Sequence, residues 1–204
     1  MAEIELNDME ISAIGEVGNI CFGNAMTTLG VLVHNVIDLS TPKVEIKNKG
    51  ELIKEHDNKA ITARVDYVKG IQGSSILFLK EDDVKMITDL MMGSDGYGMF
   101  YQQDFNEMHL SAASEAMNQM MGASATAMGI MLDKVVDIST PTTEQVSGAN
   151  VIKGEFPSDD RFVQVAFEVK IGDLIITDMV QVYPLILAKA IADLFIIKKG
   201  QKEE

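Results

Sequence analysis

Cysteine is nearly absent from this 204-residue chain. Cys21 stands alone, so no disulfide framework can form within the chain, and the usage fits a reducing compartment. Long apolar runs are missing too. No stretch approaches the roughly 18 apolar residues of a membrane-spanning helix, and the opening Met1-Ala2-Glu3-Ile4-Glu5 is acidic, without the plan of a secretion signal. Cations are scarce: 17 Lys and Arg against 31 Asp and Glu leave a net charge of −14. That balance excludes nucleic acid and anionic membrane as main partners, because both require a cationic footprint. What remains, 47% hydrophobic and 24% charged, is the composition of a cytoplasmic globular protein able to bury a real core.

Catalytic vocabulary is equally thin. No G-x-x-x-x-G-K-[ST] loop and no G-x-G-x-x-G turn occurs, so nucleotide use has no support. A cysteine phosphatase needs Arg six residues after its Cys, whereas Cys21 is followed there by Thr27, and the only arginines are Arg64 and Arg161. His34, His56 and His109 have no second ligand at metal spacing and read as surface or interface residues. No metal or cofactor of the chain's own is expected.

What the chain does contain, it contains twice. Shifting Ser12–Pro42 onto Ser111–Pro141 aligns the two segments without a gap. Twelve of these 31 positions are identical, among them Ser12/Ser111, Ala13/Ala112, Glu16/Glu115, Asn19/Asn118, Gly23/Gly122, Thr27/Thr126, Gly30/Gly129 and Pro42/Pro141; chance would give roughly two. The remaining elements recur in the same order. Asn7 or Asp8 caps a helix running to about Val33, with Leu6 as a hydrophobic staple. A strand over 36–46 follows, bent or placed at an edge by Pro42, then alternating strands at 61–68 and 74–80 and a helix over 81–92 stopped by Gly93. The second copy predicts a helix from about Met108, strands near 135–140, 162–171 and 174–183, and a helix over 185–197, with 198–204 a frayed tail or the start of a linker. The expected fold is α+β: one domain over 1–204 made of two helix-strand-strand-strand-helix repeats, about 8–93 and 107–197. A linker at 94–106 joins them, and an antiparallel sheet with pseudo-two-fold symmetry packs against helices.

At about 100° per residue, Ser12, Glu16, Asn19, Gly23, Thr27 and Gly30 fall in one stripe about 80° wide. Ile14, Val17, Cys21, Ala25 and Leu32 occupy the opposite, core-seeking side. Core positions vary between the copies while the polar stripe is kept. One Glu and Asn three apart would read as a solvated face; their recurrence points to a site. Asp38, Ser40 and Thr41 with their copies read as a structural turn, and Met117, Met120 and Met121 as adaptable core. A carboxylate and a carboxamide one turn apart, with no nucleophile beside them, suit a reaction whose other parts arrive with the substrate. Hydrolysis of an aspartyl-phosphate by in-line water attack is such a reaction. A carboxamide can orient the water, and a carboxylate can grip a lysine of the partner.

The spacing Ser-x3-Glu-x2-Asn-x22-Pro, at Ser12-Glu16-Asn19-Pro42 and again at Ser111-Glu115-Asn118-Pro141, resembles the signature of the CheC/CheX/FliY phosphatases. The surrounding Ile14-Gly15-Glu16-Val17-Gly18-Asn19 and Phe22-Gly23-Asn24-Ala25 are similar as well. His109-Leu110-Ser111-Ala112, Glu115 through Gly122, Asp89-Leu90-Met91-Met92-Gly93 and Gln181-Val182-Tyr183-Pro184-Leu185 most resemble the flagellar motor switch members. The resemblance covers essentially the whole chain. It implies dephosphorylation of phospho-CheY, the chemotaxis response regulator. Glu16, Asn19, Glu115 and Asn118 would be the catalytic residues, Ser12, Ser111, Pro42 and Pro141 supporting ones, and Mg²⁺ would come with CheY. Two working sites and a cytoplasmic place at the flagellar switch follow from it. Two forms stay open: the phosphatase domain of a longer switch protein that binds other switch proteins, or a stand-alone CheC-type protein partnered by CheD. The other reading is a non-catalytic module that docks CheY or a switch protein.

Overall fold

The computed structural model describes residues 4–202. Helix α1 (Asp8–Val33) begins where Asn7 Oδ1 accepts from Glu10 N at 3.0 Å and the Glu10 carboxylate accepts from Asn7 N at 2.8 Å. This reciprocal box satisfies two donors that a helix start otherwise leaves open. Leu6 packs against the core just before it. The helix ends at His34 in the left-handed conformation (φ 53°), with Asn35 N donating to Gly30 O at 3.1 Å. A Cβ on Gly30 would lie 2.9 Å from Asn35 O, so glycine is what lets the chain double back there.

Pro42 does more than bend one strand. Strands β1 (Ile37–Leu39) and β2 (Lys43–Asn48) are separate, and both lie antiparallel to β7 (Arg161–Ile171). Leu39 is opposite Val169 and Lys43 opposite Ala166, so Ser40-Thr41-Pro42 bulges over Phe167-Glu168. The Ser40 amide and hydroxyl both bond the Glu168 backbone, in keeping with a structural turn. The second copy repeats the bulge: β5 (Asp137–Ile138) and β6 (Thr142–Ser147) lie antiparallel to β3 (Lys59–Lys69), with Ser139-Thr140-Pro141 between them.

Among the described residues the sheet has eight strands. Its main order is β1-β7-β8-β4-β3-β5, with β4 (Gly73–Leu79), β8 (Ile175–Pro184), β2 on β7 and β6 on β3. Read from either end, this order exchanges one copy for the other. Each copy's bulged strand therefore hydrogen-bonds to the other copy's sheet. Alternate residues divide the two faces, as a pleat requires. Leu77 and Leu79 of β4 and Val163, Val165, Phe167 and Val169 of β7 face the main core under α1, α5 (Glu107–Leu132), α3 (Glu81–Met91) and α7 (Leu185–Lys202). Ile76, Phe78, Phe162 and Val182 face a smaller core with Leu52 of α2 (Lys49–Glu55) and Ile152 of α6 (Gly148–Glu155).

Three expectations need correction. Neither short helix, α2 nor α6, was expected, so each repeat carries an extra helix between its bulged strand and its hairpin. The 94–106 linker is ordered: it holds α4 (Met99–Gln102) and folds around buried Asp89, whose carboxylate accepts from Gly96, Gly98 and Phe100 N at 2.9, 2.9 and 3.1 Å. The expected tail is helical through Lys202; its last two residues lie outside the described part of the chain, as do Met1, Ala2 and Glu3.

Candidate active site

Helices α1 and α5 pack against each other over the sheet. Ala13, Ile14, Val17, Cys21 and Ala25 of α1 and Ala112, Ala113, Ala116, Met117, Met120 and Met121 of α5 are buried, so three of the methionines are core as expected. Ser12, Glu16 and Asn19 are exposed on α1, and Ser111, Glu115 and Asn118 on α5. The same spacing therefore presents the same three side chains outward from each helix. Pro42 and Pro141 sit in the strand bulges instead, half-buried and buried, away from the exposed stripe of each helix.

The shared stripe separates into residues with local duties and residues without them. Thr27 and Thr126 donate to the carbonyls of Gly23 and Gly122, each at 3.0 Å, so these hydroxyls are occupied by their own helices. Gly129, like Gly30, fits a tight helix end: a Cβ there would meet Lys134 O at 2.7 Å. Gly23 and Gly122 have no such reason, since a Cβ on either would have nothing within 4 Å. Among the described residues, no protein group hydrogen-bonds the side chains of Asn19, Asn118, Ser12 or Ser111. A bare helix surface beside a solvent-facing carboxamide without a protein partner is suited to a group brought by another molecule.

The two carboxylates differ in their partners. Glu16 Oε2 accepts from Lys199 Nζ of α7 at 2.9 Å, whereas Glu115 Oε1 accepts from Gln119 Nε2 on its own helix at 2.5 Å. A groove of about 330 Å³ runs beside the first site, lined by Met9, Ser12 and Glu16 of α1 and Phe195, Ile196 and Lys199 of α7. A larger hollow of about 640 Å³ around His56, Phe78 and Gln164 includes none of the shared residues.

Met9 and Met108 escaped the sequence analysis. They are 66% and 48% exposed, stand three residues before Ser12 and Ser111, and fall on the same stripe. Their identity under the repeat shift was available as a signal, one turn outside the aligned segment. Lys199 was hidden by the expectation of a frayed tail.

The histidines also need correcting. His34 is exposed at its helix end, but His56 is half-buried, stacks on Phe78 at 4.2 Å and lies 3.3 Å from Gln164 Oε1. His109 is fully buried: its Nδ1 accepts from Asn106 N at 3.1 Å and its Nε2 donates to Phe100 O at 2.6 Å. It thus acts as the capping-box partner of Asn106 for α5. Burial pushes the Cys21 thiol up to about 12, which removes it as a nucleophile. Among the described residues, no group of three or more His, Cys, Asp or Glu is placed to hold a metal ion, and no helix is long and apolar enough to cross a membrane.

Comparison with known proteins places this geometry. The CheC-like family matches residues 9–46 and 108–144, the two segments that carry the exposed Ser, Glu and Asn. Flagellar motor switch phosphatase FliY of Bacillus subtilis is 37% identical over 202 residues, which is 98% of this chain but 53% of that protein, so the chain spans about half its length. The crystal structure of Thermotoga maritima FliY superposes with a TM-score of 0.86 at 31% identity, covering 96% of this chain and all of that one. A chain of the FliG–FliM complex from H. pylori shares the fold (TM-score 0.74, 15% identity, 92% of this chain and 100% of that one). With identity of this order sustained across a complete solved chain, and the family's segments falling on both copies of the duplicated helix, this chain belongs to the CheC-like family.

Proposed function

We propose that this chain dephosphorylates the phosphorylated chemotaxis response regulator CheY, using Glu16 with Asn19 and Glu115 with Asn118 as two separate sites. The observation that carries the reading is the paired carboxamide: Asn19 and Asn118 stand exposed at equivalent positions of duplicated helices, each with no protein partner among the described residues. The name of the B. subtilis relative, a motor switch phosphatase, supports the reaction class and a place at the flagellar switch.

Chemically, the carboxamide accepts a hydrogen bond from a water and holds its oxygen in line with the phosphorus. Attack forms a P–O bond to that water and breaks the P–O bond to the regulator's aspartyl carboxylate, which leaves as a free carboxylate. The products are inorganic phosphate and unmodified Asp. The Glu carboxylate grips a lysine ammonium of the regulator and docks the helix over its phosphoryl group. Mg²⁺ belongs to the regulator in this scheme. Gly23 and Gly122 keep the helix surface bare next to each Asn, and Met9 and Met108 offer apolar contact one turn before each Ser.

The test is the decay of phospho-CheY with and without the chain. Replacing Glu16, Asn19, Glu115 and Asn118 together by Ala returns decay to the unassisted rate, while either pair alone removes one site's share. Undiminished turnover by the quadruple variant sinks the proposal. The second reading, a docking or scaffold module, draws on the fold shared with a chain of the FliG–FliM complex. It predicts a stable complex in which the phosphoryl lifetime is unchanged.

A further inference from the structure

We infer that the two sites are unequal because Lys199 latches the first one, competing from within the chain for the carboxylate that the partner's lysine needs. The inference rests on the phosphatase reading of Glu16.

Its origin lies in how the two copies end. Lys85-Met86-Ile87-Thr88-Asp89-Leu90 of α3 corresponds to Lys189-Ala190-Ile191-Ala192-Asp193-Leu194 of α7. In the first copy the helix then stops: Gly93 takes φ 83°, and the chain turns aside to wrap the Asp89 carboxylate. The corresponding residue of α7 is Ile197, which has no such freedom, and that helix continues through Lys202. The extension runs beside α1. Lys189 Nζ bonds Glu10 in the first turn of α1 at 2.5 Å, and further along Lys199 Nζ bonds Glu16 at 2.9 Å. The Lys199 ammonium also lies 5.6 Å from the centre of the Phe195 ring, which steadies it over the groove. Among the described residues Glu115 is paired with no cation, and its contact is with Gln119 of its own helix.

A partner lysine docking at the first site must displace Lys199, whereas at the second it meets a carboxylate held by a neutral amide. Both side chains of the Lys199–Glu16 pair are substantially exposed, so water screens the latch and its effect is modest. Displacement opposes docking rather than the attack of water, and so acts on KM.

The experiment uses the chain with Asn118→Ala, which leaves the first site as reporter, and phosphorylated CheY as substrate. Adding Lys199→Met lowers KM about two- to fivefold with kcat unchanged. Lys199→Arg keeps the parent KM. So does Lys198→Met, which breaks the neighbouring pair to Asp133 instead. Lys199→Gln, of similar reach and uncharged, reproduces the Met result and answers any loss of helix caused by Met. An unchanged KM in both neutral variants overturns the latch. Should the quadruple Glu and Asn variant still hydrolyse phospho-CheY, it is the phosphatase reading that fails, and the two failures are told apart.

Discussion

At the scale of single residues, the asparagines of the candidate site have no protein partner among the described residues, whereas the scaffold's buried His109 is bonded at both ring nitrogens. Asp89 is the clearest scaffold case. It is completely buried, yet three backbone N–H groups converge on its carboxylate. Burial opposes its ionisation, but the bonds from Gly98, Ser94, Phe100 and Gly96 outweigh it and hold the carboxyl below its usual range. A group whose pKa is lowered by folding stabilises the fold above its unfolded value, about 3.9, and that contribution is lost as pH falls through the folded value. Asp89→Asn, which removes the charge and turns an amide donor toward other donors, costs about 2–4 kcal/mol at neutral pH. Thermal denaturation of both chains from pH 7 down to pH 2 checks this: the gap between them narrows in acid. Gly23 and Gly122 call for the opposite test. A methyl at either meets no atom within 4 Å, and Ala favours helix by up to about 1 kcal/mol. Gly23→Ala with Gly122→Ala therefore melts no lower than the parent, and on the proposed function it slows phospho-CheY decay, because a side chain then stands on the face proposed to meet the regulator. Melting temperature and phospho-CheY decay, measured on the same sample, separate the two effects.

At the scale of elements, what was legible in the sequence was what is local. Asn7 caps α1 with Glu10 completing the box three residues on, so that helix start could be read from residue types alone, whereas the Asn106 cap of α5, closed by a histidine, could not. The exposed stripe was equally legible, because helical periodicity and a repeat shift are both one-dimensional. Short elements were not: α2 and α6 each contain glycine and bury one or two apolar residues, too few to register as a period. The end of α7 failed for another reason. Lys198-Lys199-Gly200-Gln201-Lys202 has the composition of a tail, yet it is helical, with Lys198 bonded to Asp133 just past the end of α5 and Lys199 to Glu16 of α1. His109 was misjudged similarly, since its burial depends on Phe100 and Phe105 folding over it from the linker. In each case the missing information was the identity of a partner far along the chain.

At the scale of the whole molecule, the repeats exchange strands. β2 of the first copy completes the second copy's sheet beside β7, and β6 returns the exchange beside β3, while β4 and β8 join the halves at the centre. Two separable domains would not be built this way. Residues 4–93 expressed alone leave β1 and β2 without β7, and residues 107–202 leave β5 and β6 without β3. Neither half gives a cooperative thermal transition by circular dichroism, whereas co-refolding the two halves restores one. The exchange also bears on how the chain meets the ribosome. The strand at 43–48 finds its hydrogen-bonding partner at 161–166, so during synthesis the first copy emerges with an edge that cannot close until more than a hundred further residues have been made. Through that interval its unpaired backbone is open to any other growing strand. Lys43, Glu45 and Lys47, spaced along that edge, are gatekeepers that put charge where a foreign strand would add.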